Sequence, residues 1–198
     1  MRRRLVAVVG PTGSGKSALA LQLARVHDGE VLSCDSVQVY RGLDVGSGKA
    51  TPAERGERPH HLLDMAEPCE EMNAARWARA AAATANAVLD RGHLPIVAGG
   101  TGLYLTALLR GLFDSPPVDR DVRARLDALA VRRGSARLHR VLAAVDPESA
   151  ARTRAEDRVR VVRALEVAFT TRGTFSARRR SREPYWTGEA LIVGLAPD

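Results

Sequence analysis

The run Gly10-Pro11-Thr12-Gly13-Ser14-Gly15-Lys16-Ser17 has the spacing G-x-x-x-x-G-K-[ST] and lies between a strand-like segment and a helix-like one. That context makes the spacing a phosphate-binding signature. The glycines let the backbone curl so that successive N–H groups face a phosphate oxygen. The helix that starts here adds the partial positive charge of its N-terminus. Lys16 supplies a full charge, and the Ser17 hydroxyl is a ligand for Mg²⁺. A phosphate or diphosphate, free or on a nucleotide such as ATP, is the expected ligand. The loop alone leaves the reaction open, because ordinary NTPases and kinases add a second strand ending in a metal-holding acid. Here the Pro95–Ala98 strand runs into Gly99-Gly-Thr-Gly102, and the strand-end carboxylate is Asp35 instead. Ligands of an open parallel sheet sit at the carboxyl ends of its strands, so Asp35 and Thr101 are both expected to face the Lys16 loop.

Asp35-Ser36-Val37-Gln38-Val39-Tyr40 places a carboxylate, an amide and a phenol within six residues. Asp35 can hydrogen-bond an exocyclic amine or take its proton, and Gln38 can read a base edge with two bonds. The same spacing also suits a plain strand-end turn. Val45-Gly-Ser-Gly-Lys49 reads equally as a second phosphate-facing loop or as a bare one. His60-His61-Leu-Leu-Asp64 near Cys69 has no closed zinc spacing, so a packed or substrate-orienting histidine pair is expected. Gly99-Gly-Thr-Gly-Leu-Tyr104 opens a further helix, with its free N–H groups and the Thr101 hydroxyl directed into the crevice.

The segments that must position these groups alternate in type. Leu5–Val9, Val31–Cys34 and Pro95–Ala98 are short apolar runs that read as buried strands, while Ser17–Val26 and Ala74–Leu89 have helical spacing. Gly92 stands where a helix C-terminus favours glycine. Strands separated by helices imply parallel βαβ units covered on both faces. After Phe113 the breaker cluster Asp114-Ser-Pro-Pro-Val118 introduces a stretch that is almost wholly helical. Val122, Leu126 and Leu129 share one face there, Leu138, Val141 and Leu142 another, and Val159, Val162 and Leu165 a third. Leu191–Leu195 returns to strand character. The expected organisation is a core over 1–113, a helical insertion over 114–186 and a return strand over 187–198.

Charge follows the same division. Residues 1–109 hold 12 basic and 11 acidic side chains, whereas residues 110–198 hold 18 and 12, so most of the net charge of +7 lies in the second part. All basic residues except Lys16 and Lys49 are arginine, whose planar donor fork suits phosphate backbones. The Arg178-Arg-Arg180 run with Arg182 reads equally as non-specific attraction or a solvated loop. No apolar run reaches the length of a membrane span, and Leu5–Val9 is too short for a secretory signal. Two cysteines make no disulfide framework, so a cytoplasmic location is expected.

The phosphate loop, Asp35-Ser-Val-Gln-Val-Tyr-Arg-Gly42, His60-His-Leu-Leu-Asp64 and Gly99-Gly-Thr-Gly-Leu-Tyr104 together resemble the tRNA dimethylallyltransferase (isopentenyltransferase) family. Asp157-Arg-Val-Arg-Val-Val-Arg-Ala-Leu-Glu-Val167 and Gly194-Leu-Ala-Pro-Asp198 extend the likeness over nearly the whole chain. Gly46-Ser-Gly-Lys-Ala50 and Glu70–Asn73 depart from the family pattern, and the family's C-terminal part is expected to be absent.

The resemblance implies a P-loop NTPase-like α/β fold with an all-helical insertion. It also implies transfer of a dimethylallyl group from dimethylallyl diphosphate to N6 of the adenosine just 3′ of the anticodon. Lys16 and the loop amides would then stabilise the departing diphosphate with Mg²⁺, which Ser17 helps to hold. Asp35 aligns with the family's catalytic carboxylate, and Thr101 with a residue that touches the diphosphate or the substrate nucleotide. Asp35, Ser36, Val37, Gln38 and Thr101 align with positions that meet the tRNA, as do Arg123 and the stretch Val159, Arg160, Val161, Val162 and Arg163. A monomer acting on the anticodon stem-loop is expected. Three other readings stay open: a prenyltransferase for free adenine nucleotides, a P-loop small-molecule kinase, and a truncated RNA-binding remnant without turnover. The basic helical segment favours RNA over free nucleotides.

Overall fold

A parallel sheet needs both faces covered, because each of its crossovers lays a helix over one of them. The computed structural model of the chain, which describes residues 3–113, 118–171, 173–180 and 182–196, has this arrangement. Residues 114–117 of the expected breaker, Pro197 and Asp198 of the last motif, and the Arg179 and Arg180 side chains lie outside what is described.

In chain order the elements begin with β1 (Arg4–Val9), α1 (Lys16–Val26), β2 (Gly29–Ser33), α2 (Pro52–Glu57), β3 (His60–His61), α3 (Ala74–Asp90), β4 (Leu94–Gly99) and α4 (Gly102–Arg110). They continue with β5 (Leu112–Phe113), α5 (Arg120–Arg133), α6 (Ser135–Val145), α7 (Pro147–Arg152), α8 (Arg158–Thr170), α9 (Phe175–Arg180), β6 (Arg182–Glu183) and β7 (Glu189–Gly194). The backbone divides into two compact units, Met1–Gly111 with Pro184–Asp198, and Leu112–Glu183. No helix among the described residues is long and apolar enough to cross a membrane.

The first unit is built on a five-stranded sheet of order β3-β2-β4-β1-β7, parallel at every pairing. Alternation along the strands sorts the side chains between its faces. Val6 and Val8 of β1, Val31 of β2 and Ile96 and Ala98 of β4 pack against Leu19, Ala20, Leu23 and Ala24 of α1. The other layer includes α3, whose buried stripe of alanines lets it lie close against β2, β4 and α4. Its one large buried side chain, Trp77, stacks on Tyr104 of α4 with ring centroids 5.0 Å apart. The same indole donates its Nε1–H to the Ser33 carbonyl at 3.0 Å. A single side chain thus ties the last residue of β2 to two helices. Asn73 caps the start of α3 by accepting from the Arg76 N–H. Gly92, at φ 86°, ends it where the Gly92 and His93 N–H groups donate to the Leu89 and Val88 carbonyls. β7 is an edge strand with exposed Leu191 and Ile192.

The second unit packs α5 to α8 around Leu126, Leu138, Leu142, Ala150, Val161, Val162 and Leu165. The apolar faces expected there are partly displaced, since Leu129, Val141 and Val159 are exposed while Ala130 and Val161 are buried. α8 touches α5, α6 and α9, so its buried arc is wider than a single stripe. The antiparallel pair β5-β6 joins the two ends of this unit, and two-residue strands are too short for any periodicity to announce them. Asp146 caps α7 and also accepts from the Ser176 N–H at 2.9 Å. Burial pushes its carboxyl up, but the bonds from Ser176 and Ser149 outweigh this and hold it below the usual carboxylate range.

Replacing Trp77 removes a stack and a hydrogen bond from the junction under the end of β2. Trp77→Ala is expected to lower the unfolding free energy by about 3–5 kcal/mol in urea titrations. Trp77→Phe, which keeps a ring to stack, is expected to cost clearly less; equal losses would mean that stacking on Tyr104 contributes nothing.

Candidate active site

The ends of β1, β2 and β4 meet at one edge of the sheet, where Val9 is level with Gly99 and Ser33 with Ala98. Pairing between β2 and β4 continues past the strands. The Cys34 N–H donates to the Ala98 carbonyl at 2.8 Å, and the Thr101 N–H donates to the Cys34 carbonyl at 3.2 Å. Gly99 permits this approach, since a Cβ there would collide with the Cys34 carbonyl. Between these chain ends lies a crevice of about 210 Å³ lined by Val9, Gly10, Pro11, Cys34, Thr101 and Leu105 among others.

One wall is the phosphate loop. Gly13 and Gly15 take φ values of 83° and 81°, the left-handed region open to glycine. α1 starts at Lys16 with no side-chain cap and no acid in its first turn, so its terminal N–H groups and dipole are not neutralised. The Lys16 Nζ donates to the Pro11 carbonyl at 3.0 Å, and Ser17 is exposed beside it. The Ser14 hydroxyl is buried in the loop without a partner among the described residues. A Cβ on Gly100 would stand 3.4 Å from the Gly10 carbonyl and 4.0 Å from Cε of Lys16. The end of β4 therefore reaches the loop.

Thr101 lines the crevice, and Asp35 follows directly on its neighbour Cys34 at the end of β2. Asp35 Oδ1 accepts the Val37 N–H at 2.8 Å and the Gln38 N–H at 3.3 Å. Thr101 Oγ1 accepts the Ser36 N–H at 3.0 Å, so the residue after Asp35 is bonded directly to Thr101. Thr101 also begins α4, a second helix with no side-chain cap and no acid in its first turn. Lys16, Asp35 and Thr101, inferred from strand ends and loop spacing, thus share one edge. Burial pushes the Cys34 thiol up to about 12, and it stays protonated at neutral pH.

Several expectations need correction. The Gln38 amide is already used inside the protein: Oε1 accepts from Ser33 Oγ at 2.8 Å, and Nε2 donates to the Ser47 and Gly48 carbonyls at 3.0 Å each. It ties the glycine-rich loop to β2 rather than standing free to read a base. Lys49 does not face a phosphate, because its side chain is 1% exposed. Its Nζ donates to the Tyr40 carbonyl, Asp44 Oδ1 and Asp64 Oδ1 at 2.9, 2.7 and 2.8 Å. The two histidines part company. His61 pairs with buried Glu30, which also takes a two-bond grip from Arg91, while His60 Nδ1 meets the Arg58 carbonyl. Burial pushes the Glu30 carboxyl up, yet Arg91 and then His61 outweigh it and hold it below the usual range.

In the second unit, Val159 and Arg160 are exposed, but Val161 and Val162 are 0% and 3% exposed and belong to the helical core. The side chains of these two valines are therefore withdrawn from any RNA, which corrects the expectation for them. Arg123 and Arg163 both bond to Glu166. Lys49 and Glu166 as pinning groups escaped the sequence reading. The available signal for Glu166 was an acid set directly after Val162 and Leu165 in a buried helix.

A sequence profile described as IPP transferase matches residues 38–198. The chain belongs to the IPP transferase family. A second profile, isopentenyl transferase, covers residues 3–66 and with them the phosphate loop. The tRNA dimethylallyltransferase of Anaeromyxobacter sp. (strain Fw109-5) is 54% identical over 96% of this chain and 64% of its own length. That of Sorangium cellulosum (strain So ce56) is 51% identical over 96% of this chain and 61% of its own length. The chain thus spans somewhat less than two thirds of these curated relatives. Among solved structures, a eukaryotic dimethylallyltransferase acting on tRNA superposes with a TM-score of 0.78 at 28% identity, over 98% of this chain and 48% of that one. The tRNA delta(2)-isopentenylpyrophosphate transferase of Staphylococcus epidermidis gives 0.59 at 34% identity, over 98% and 63%.

The Lys49 cluster gives the first unit an acid limb. The bond from Lys49 holds the Asp64 carboxyl below the usual range against the effect of burial, with Arg55 assisting. A free aspartate titrates near pH 3.9, so this stabilisation is complete above about that pH and is lost as pH falls through the lower folded value. The melting temperature is expected to hold from neutral pH to about pH 4–5 and then to fall. Asp64→Asn should make that fall shallower and cost about 1.5–3 kcal/mol at neutral pH; an unchanged acid limb would contradict the assignment.

Proposed function

We propose that this IPP transferase moves a dimethylallyl group from dimethylallyl diphosphate to N6 of the adenosine immediately 3′ of a tRNA anticodon. The observation that carries the reading is the common edge shared by Asp35 and the cationic loop, with glycines rather than an acid ending β4. A phosphoryl-transfer site would use an acid there to hold its metal. The names of the similar proteins support the same reading.

In this transfer the bond from the allylic carbon to the diphosphate oxygen breaks, and its electron pair leaves with the diphosphate. The N6 lone pair forms the new C–N bond, and the N6 proton passes to Asp35. The loop N–H groups, the start of α1 and Lys16 stabilise the charge that builds on the leaving group. Asp35 suits the role of base because Oδ1 is held by two backbone N–H groups, while Oδ2 has no hydrogen bond among the described residues. Thr101 accepts from the Ser36 N–H at 3.0 Å and donates to Ser36 Oγ at 3.5 Å, a long bond that a phosphate oxygen or the nucleotide would replace.

No cluster of three or more His, Cys, Asp or Glu among the described residues could hold a metal by itself. The exposed Ser17 hydroxyl at an uncapped helix start fits Mg²⁺ as one hard oxygen, with diphosphate oxygens and water completing the shell. When bound, Mg²⁺ neutralises charge on the departing diphosphate.

The adenine must leave its stack to bring N6 in line with the allylic carbon. The arginines of the second unit, Arg123 and Arg160 foremost, supply phosphate contacts to the anticodon stem-loop. Cys34 and Cys69 are both free thiols, which suits action in the cytoplasm.

Incubation of the chain with dimethylallyl diphosphate, Mg²⁺ and unmodified tRNA should yield N6-dimethylallyladenosine, read by mass of the digested RNA. Phosphoryl transfer from ATP without prenyl product would refute the reading in favour of a kinase. RNA binding without product would do so in favour of a remnant. Asp35→Asn is expected to slow transfer by roughly 10²–10⁴-fold, the usual worth of a general base, while diphosphate affinity stays nearly unchanged. Equal loss of both would assign Asp35 to binding instead.

A further inference from the structure

Glu166 is 0% exposed, yet it carries a carboxylate in the middle of α8. Oε1 accepts from the Asp119 N–H at 2.9 Å and from Arg163 Nη1 at 2.6 Å. Oε2 accepts from Nε and Nη2 of Arg123 at 2.9 and 2.7 Å. One carboxylate therefore gathers the cap of α5, an arginine in the first turn of α5 and an arginine of its own helix.

Joining α5 to α8 does not require this arrangement. Taking a carboxylate out of water is costly, and an apolar side chain of similar size would hold two helices together at least as well. The cluster instead fixes the orientation of guanidinium groups. Two cations and one anion leave it with a net positive charge. The Arg123 side chain is 38% exposed, and its grip on Oε2 uses one edge of the fork, leaving Nη1 and one Nη2 hydrogen without a partner among the described residues. An arginine already held in place loses less rotamer freedom when it meets a phosphate.

We propose that Glu166 is a positioning residue for RNA binding: it holds Arg123 so that the free edge of the guanidinium is a preset phosphate ligand, with Arg163 as the buttress. The proposal rests on the reading of the second unit as an RNA grip.

The test measures binding of an unmodified anticodon stem-loop to the chain over a salt series, for the native protein, Glu166→Gln, Arg123→Met and the double variant, below the melting temperature of each. Glu166→Gln is expected to weaken binding roughly tenfold, the size of one charge-assisted hydrogen bond. The double variant should bind no more weakly than Arg123→Met alone. Arg123→Met should also reduce the slope of log K against log salt by about 0.7–0.9, one phosphate contact. Native affinity in Glu166→Gln, or losses that simply add, would overturn the proposal, since a purely structural carboxylate acts independently of Arg123. Arg123→Lys keeps the charge without the fork and guards against a poorly folded Glu166→Gln. It should bind like Arg123→Met if held orientation matters, and native affinity would overturn the idea. A native chain that fails to bind the stem-loop at low salt overturns the RNA grip and this proposal together. Binding that is indifferent to Glu166 overturns only the latter.

Discussion

The site depends on backbone pairing that outlasts the strands it belongs to. β2 and β4 end at Ser33 and Gly99, yet Cys34 still donates to the Ala98 carbonyl and accepts from the Thr101 N–H across the gap. This brings a carboxylate from one strand beside a hydroxyl from the next without a long side chain having to reach. It requires glycine at position 99, because any Cβ would displace the Cys34 carbonyl that the Thr101 N–H needs. Trp77 holds the same junction from the helix side through the Ser33 carbonyl. The chemistry of the crevice is thus set by main-chain geometry, and side chains mainly keep that geometry from relaxing.

Within this frame Asp35 is proposed as the base by comparison with the other titratable groups of the first unit. The Cys34 thiol is protonated at neutral pH because burial raises it to about 12. His61 is bonded to Glu30, and His60 to a carbonyl. Lys16 stands at a helix start with no acid in the first turn, where its charge suits an anion. Asp35 remains, held at one oxygen by two N–H groups. Two uncapped helix starts and one lysine against one carboxylate make an environment that favours an anionic ligand over a cationic one.

The phosphate loop, the alternation of strands and helices and the joint placement of Asp35 and Thr101 were legible in the sequence, because glycine spacing and strand-end rules act on neighbouring residues. What was not legible is what distant partners do with a side chain. Gln38 looks free for a base edge until Ser33 and the 47–48 carbonyls consume its amide. The resemblance sets Val161 and Val162 in an RNA-meeting stretch, but α8 is covered on more than one side and buries Val161 as well as Val162, which its apolar spacing had already marked. The two-residue strands β3 and β5 carry too few residues to show a period. Glu166 was hidden for the opposite reason: an acid in an arginine-rich helix reads as a solvated partner, and only its burial shows that the arginines are organised around it.

The choice between lysine and arginine follows the same physics. Of 30 basic residues only Lys16 and Lys49 are lysine, and each stands where a compact point charge is needed rather than a planar fork. Around Lys49 Nζ three acceptors from Tyr40, Asp44 and Asp64 lie at 2.7–2.9 Å, one for each ammonium hydrogen. A guanidinium presents its donors in one plane and would not meet them all. In the proposed transfer the charge of Lys16 would follow an anion that changes from ester to free diphosphate, which a flexible stem with three rotating donors accommodates. Where a carboxylate must be gripped by two N–H bonds of one side chain, at Glu30 and Glu166, the chain uses arginine. An abundance of arginine that reads from the sequence as composition alone thus divides, in the structure, into forks that organise carboxylates and forks that remain exposed.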